Sequence, residues 1–175
     1  RCSRDWSSDV CSSDLLQTKC SKQNIGCVTF SSGYNQYNQE IFNPESNLYR
    51  FSPEISFLVL DTRSVLGKLF YSPYSVSEAE RKSFIEKRIS EIEDLIKSYV
   101  DKSQSKLVIT NLLLPTYSPY GLYETKISYG LQDMVSDFNS QLSRLIKIRE
   151  SVYVYDFNGF VTRYGEKNVF DLSWS

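Results

Sequence analysis

At 175 residues, 41% of them hydrophobic, the chain has the size of one domain and enough apolar material for a real core. Its 20 basic and 21 acidic residues leave a net charge of −1, which argues against a nucleic-acid footprint or a membrane-surface patch. No apolar run approaches the roughly 20 residues that span a bilayer, and the absence of histidine excludes a Ser-His-Asp triad, a Cys-His dyad and every His-containing metal site within this sequence.

The stretch from Arg4 to Leu15 has neither helical nor strand periodicity and lacks the apolar core of a signal peptide. It resembles translated sequencing-adapter read-through, so residues 1–15 are set aside as a non-native leader and residues 16–175 are read as one α/β domain, incomplete at both ends. The opening on Arg1 rather than methionine agrees with a frame that begins inside a gene. Without Cys2 and Cys11, the thiols are Cys20 and Cys27, whose spacing fits no zinc pattern; they read as plain, partly buried thiols of a soluble, cytoplasmic-type chain.

Taken in order, Leu15 to Cys20 ends a helix, and Cys27 to Phe30 is a candidate strand closed by Ser31-Ser32-Gly33. A Tyr/Asn/Gln-rich tract follows, Gly33 to Tyr49, with a short helix over Gln36 to Phe42 that Asn43-Pro44 terminates. Its amides and phenols need partners if buried, so it is either a solvated loop or a polar site. Ser56 to Leu60 is nearly unbroken apolar sequence, the mark of a strand covered on both faces of a parallel sheet. Leu66 to Tyr74 is an aromatic connection.

Ser77-x-x-Glu80 is a capping box, and Ile85, Ile89, Ile92, Ile96 and Tyr99 recur in steps of four and three. The spacing predicts a helix of about 24 residues packed on a sheet, with Glu93 and Lys97 paired on its wet face. Leu107 to Asn111 is the next strand, and a tyrosine-rich loop, Tyr117 to Tyr123, leads to a helix with Ile127, Leu131, Met134, Val135, Phe138, Leu142, Leu145 and Ile146 on one face. Val152 to Asp156 is the last strand, and Phe157 to Tyr164 a final short helix ended by Gly165. Alternation of this kind implies right-handed crossovers and a mostly parallel sheet in a three-layer α/β/α sandwich of flavodoxin or SGNH-hydrolase type.

Open parallel sheets bind ligands beyond the carboxyl ends of their strands. That rule selects Tyr34, Asn35 and Gln36 after the first strand, Asp61 and Arg63 after the second, Asn111 at the third and Asp156 after the fourth. Asp61 with Arg63 either fixes a carboxylate or phosphate or forms a surface pair worth under about 1 kcal/mol. Asn111 either binds ligand or stitches a loop, Asp156 reads as a helix cap, and Asn139 as a tether to a neighbouring loop.

Gly-Tyr-Asn-Gln-Tyr-x-x-Glu-Ile from Gly33, then Asn-Pro-x-Ser-x-Leu-Tyr-x-Phe-x-Pro from Asn43, then a strand ending in Leu60-Asp61, resembles the N-terminal domain of FkbH-like proteins of the HAD-IIIC group. The likeness runs from about Leu16 to the C-terminus and is most specific from Tyr34 to Pro53. It implies an SGNH-like α/β unit ahead of a separate HAD domain. That HAD domain would be a partner, as would an acyl carrier protein, and it would hold the Mg and the chemistry of glyceryl or acyl transfer or of phosphate removal.

No Asp-x-Asp occurs in this chain, so the resemblance implies neither catalysis nor a cofactor here, but recognition through the Tyr34–Tyr49 stretch and the Asp61 loop. The competing expectation is an SGNH-type acyl-esterase or acyltransferase whose nucleophile strand is missing. In a 2-1-3-4-5 order, the missing strand would lie between Cys27–Phe30 and Ile55–Leu60, which should then not pair directly.

Overall fold

The computed structural model describes residues 16–33, 36–165 and 169. The chain divides into two compact units, one running up to Pro53 and the other starting at Glu54.

In the first unit, residues 16–21 form a helical segment, α1, followed by two short helices, α2 (Tyr37–Phe42) and α3 (Asn47–Phe51). Cys27 to Phe30 is not a strand. It is extended but joins no ladder, and Val28 is 80% exposed. β-branched and aromatic residues favour a strand only where a pleated neighbour takes their side chains, so composition alone misleads here.

Helices as short as α2 and α3 are marginal by themselves, and the polar residues of the tract tether them. The buried Ser46 hydroxyl donates to the Glu40 carbonyl at 2.7 Å, and the Glu40 carboxylate accepts from the Leu48 amide at 3.0 Å. Tyr49 donates to the Ile41 carbonyl at 2.7 Å, and Asn43 accepts from the Glu45 amide at 3.0 Å across the predicted break. Phe30 meets Phe51 with ring centroids 5.7 Å apart.

The second unit is α/β. Three parallel strands, β1 (Ile55–Leu58), β2 (Lys106–Thr110) and β3 (Val152–Tyr155), lie in the order β1-β2-β3. After β1 come two short helices, α4 (Thr62–Leu66) and α5 (Lys68–Tyr71), and the long α6 (Glu78–Lys102). After β2 come a 3-10 segment, Gly121–Lys126, and α7 (Leu131–Ile146); α8 (Phe157–Tyr164) follows β3. The start of α6 is the predicted capping box: the Glu80 amide donates to Ser77 Oγ and the Ser77 amide to the Glu80 carboxylate. Lys97 and Glu93 pair at 3.2 Å, as the spacing implies. Ile127 falls outside α7, capping the 3-10 segment instead.

Consecutive strands joined by right-handed crossovers carry their helices to the same side of the sheet. Ile85, Ile92, Leu95, Ile96 and Tyr99 of α6 and Leu131, Met134, Val135, Phe138 and Leu142 of α7 are buried with Leu58, Leu107, Ile109 and Val152 of the strands. The Tyr99 hydroxyl reaches across to Ser56 Oγ at 2.7 Å. On the opposite face of the sheet Phe57 and Val59 remain about two-thirds exposed, and Ile55, Tyr153 and Tyr155 are exposed as well.

β2 leaves its ladder at Thr110, but the next residues stay covered and Leu112 is fully buried. Its backbone needs partners, and Asn139 of α7 supplies both: Oδ1 accepts from the Leu112 amide and Nδ2 donates to its carbonyl, each at 2.8 Å. Asn139→Ala would strand two polar groups in the interior. Urea unfolding should show a loss of about 2–4 kcal/mol, whereas Ser136→Ala at an exposed position of the same helix should change stability by less than about 0.5 kcal/mol.

Candidate functional site

The carboxyl ends of the three strands form one rim, and each exit is fixed by hydrogen bonds rather than by helix length. At the first, the Leu60 amide donates to Thr110 Oγ1 at 2.8 Å and Thr62 Oγ1 donates to the Leu113 carbonyl at 2.9 Å. Asp61 therefore sits at the N-cap of α4, where its Oδ2 accepts from the Ser64 amide at 2.8 Å and the Ser64 hydroxyl at 2.9 Å. Among the described residues Asp61 makes no ion pair with Arg63.

Arg63 turns to aromatic neighbours instead. Its guanidinium carbon lies 5.7 Å from the Phe70 ring centroid, and that ring meets Tyr71 edge-on at 5.2 Å and Tyr117 at 6.0 Å. Tyr117 also donates to the Phe70 carbonyl at 3.2 Å, holding the tyrosine-rich loop against α5.

The second and third exits are sewn together. Asn111 continues the ladder through its amide to the Tyr155 carbonyl, then accepts from the Asn158 amide at 2.9 Å and donates to Asp156 Oδ1 at 2.8 Å. Asp156 caps α8 by accepting from the Gly159 amide at 2.9 Å, and Asn158 accepts from the Leu114 amide at 3.1 Å. The Gly159 bond, then the Asn111 amide, hold the Asp156 carboxyl below its ordinary value of 3.8. Asn111 is thus a staple between two loops, and Asp156 is the cap that its position implies.

The candidates divide between the units. Asp61, Arg63 and Asn111 lie on this rim. Gln36 belongs to the first unit, at the N-cap of α2, where its amide donates to the Gly33 carbonyl at 3.1 Å. Tyr34 and Asn35 lie outside the described residues.

A second polar cluster is built around residues that no sequence motif marks. Arg81 is 5% exposed and donates to the carbonyls of Val76, Ser128 and Tyr129 at 2.8, 2.9 and 3.0 Å. Tyr74 packs its ring on that guanidinium, stacks on Tyr120 and donates to the Glu124 carboxylate, which also accepts from Ser118 and from the Leu131 amide. Burial and then the Glu124 bond push the Tyr74 hydroxyl up to about 12. Burial opposes ionisation of Glu124, but the bonds from Ser118, Tyr74 and the Leu131 and Tyr120 amides prevail and hold its pKa low. Tyr129, in the left-handed region at φ 55°, is likewise raised by burial and by its bond to Asp137. The sequence does carry one signal for this cluster, because the apolar stripe of α6 extended one turn back from Ile85 lands on Arg81.

A family model described as "FkbH, N-terminal domain" matches residues 13–174. The chain belongs to the FkbH N-terminal domain family. No curated protein matches it. Among solved structures, it is similar to one described as the N-terminal part of the protein BF1531 from Bacteroides fragilis, containing a phosphatase domain and complexed with Mg. The TM-score is 0.73 at 18% identity, and the match covers 92% of this chain but 41% of that one. A likeness at that identity speaks for the fold.

For this FkbH N-terminal domain the two networks set opposite pH limits. The Asp156 contribution is whole above pH 3.8 and is lost as the pH falls through the lowered folded-state value. The Tyr74 contribution is whole below pH 10 and is lost as the pH rises towards about 12. Urea midpoints followed against pH should therefore flatten on the acid limb in Asp156→Asn and on the alkaline limb in Tyr74→Phe, each variant leaving the other limb unchanged.

Proposed function

We propose that this domain is the SGNH-like recognition module of an FkbH-like protein of the HAD-IIIC group, binding an anionic group of a substrate or of a loaded carrier protein at the rim of its sheet. One observation carries the reading. Of the side chains of Asp61, Arg63, Asn111, Asp156 and Asn158, that of Arg63 alone has no hydrogen-bonding or ion-pair partner among the described residues; it lies over Phe70. The carboxylates that could serve as base or nucleophile are spent on capping helices, so the rim offers a cation on an aromatic shelf rather than a reactive group. A guanidinium set over a ring keeps its N–H donors available for a carboxylate or phosphate.

The same reading takes the complete domain to be a three-layer sandwich. An all-parallel sheet is normally covered on both sides, and the exposed Ile55, Phe57 and Val59 are residues suited to such a cover.

A divalent metal does not fit this rim. No group of three or more His, Cys, Asp or Glu able to hold one occurs among the described residues, and Asp61 and Asp156 point their oxygens at backbone amides. The proposal therefore assigns Mg, and glyceryl or acyl transfer or phosphatase-like chemistry, to a HAD domain that would be this module's partner.

Titration of the domain with a phosphopantetheine-bearing acyl carrier protein tests the reading. Arg63→Ala should weaken binding about tenfold, roughly 1.4 kcal/mol, and Arg63→Lys should fall between because it keeps the charge but loses the planar fork. Equal affinity of all three chains, with the fold intact by circular dichroism, would remove Arg63 and with it the recognition site.

A further inference from the structure

The two thiols of the first unit stand in an arrangement that their spacing in sequence does not announce. Where α1 ends, the amides of Gln23 and Ile25 both donate to the Cys20 carbonyl, at 2.9 and 3.0 Å, and Asn24 takes the left-handed conformation at φ 58°. This turn sends the chain back along the helix. Nine residues further from Cys20, the return limb is clasped again, Gln17 Nε2 donating to Thr29 Oγ1 at 2.9 Å. Cys27 lies between those two clasps, opposite Cys20. The two thiols are near enough to act on one another's ionisation, and both are half-buried and unbridged.

We propose that Cys20 and Cys27 form a reversible dithiol–disulfide couple, oxidised by exchange with a low-molecular-weight disulfide such as oxidised glutathione. A thiolate of one cysteine attacks a glutathione sulfur, breaking its S–S bond and forming a mixed disulfide with release of one glutathione thiolate. The second cysteine, as thiolate, attacks the protein sulfur of that mixed disulfide and releases the second glutathione. Two protein thiols and one oxidised glutathione become one protein disulfide and two reduced glutathiones; the two electrons pass to glutathione, and the cysteine protons end on its thiols. The two clasps keep the second thiol at hand, so ring closure competes favourably with loss of the adduct.

The closed bridge would tie the return limb covalently to α1. That limb leads directly into Gly33 and Gln36, so oxidation would set how the chain enters the tyrosine- and asparagine-rich stretch.

The experiment uses the whole chain carrying Cys2→Ser and Cys11→Ser, so that this pair alone reports. After equilibration in mixtures of reduced and oxidised glutathione, quenching with an alkylating agent and mass spectrometry of the peptides should find a Cys20–Cys27 crosslink two hydrogens lighter than the dithiol, reversed by dithiothreitol. Adding Cys20→Ser or Cys27→Ser should instead accumulate a stable glutathione adduct at the remaining thiol. Closure should quicken as pH rises, because burial and the neighbouring Cys20 thiol push the Cys27 thiol up. If the two-thiol chain ends as separate glutathione adducts or as unreacted thiols across that range, the couple does not exist.

Discussion

Where a parallel strand leaves its ladder while still inside the protein, its next amides and carbonyls have neither a neighbouring strand nor water. The second unit meets this condition at the end of β2, and much of its rim follows from the solution. Leu112 takes both of its bonds from Asn139, Leu113 accepts from Thr62, and Leu114 donates to Asn158. Each of these side chains comes from a different element, so satisfying three consecutive residues also fixes α7, α4 and the start of α8 around the sheet. Unpaired backbone in such a place costs more than a typical net hydrogen bond returns, which gives the arrangement little freedom to slide.

The functional reading depends on that economy. A rim bearing Asp61, Asn111, Asp156 and Asn158 looks, as a string of letters, like a set of catalytic candidates. In three dimensions their polar atoms face backbone amides and one another. Arg63 differs because it is the second residue of a helix already capped by Asp61, lying over an aromatic ring that offers it a π-face but no counter-charge. In the proposed reading, positioning falls to the capping and stapling residues and recognition to Arg63.

The features legible in the sequence were those whose cause is local. Ser77 and Glu80 read as a capping box because both partners lie within one turn, and Asp156 with Gly165 bounded α8 for the same reason. Cys27 to Phe30 failed because a strand is defined by a neighbour that no short window contains. Arg81 was missed because a charge at the head of an amphipathic helix ordinarily faces water, whereas here three carbonyls from two loops converge on it. The resemblance found in the Tyr34–Pro53 stretch did mark a real family, but where that stretch is described, Glu40, Asn43, Ser46 and Tyr49 hold two short helices together. A signature of this kind records how a turn is built as readily as it records what a protein does.

β1 shows the same lesson from the opposite side. Its nearly unbroken apolar run predicts a strand covered on both faces, but only one face is covered: Leu58 and, just beyond the strand, Leu60 are buried. The odd positions, Ile55, Phe57 and Val59, carry side chains equally suited to burial yet are exposed. Strand order explains the asymmetry without appeal to the residues themselves. With β1, β2 and β3 added successively in one direction, right-handed crossovers place both α6 and α7 on a single side. The crossovers from β1 to β2 and from β2 to β3 therefore leave the other side of the sheet uncovered among the described residues of this unit. An apolar run thus records which side chains suit burial, while the topology of the sheet decides which of them are covered, and a window of β1 alone cannot contain that topology.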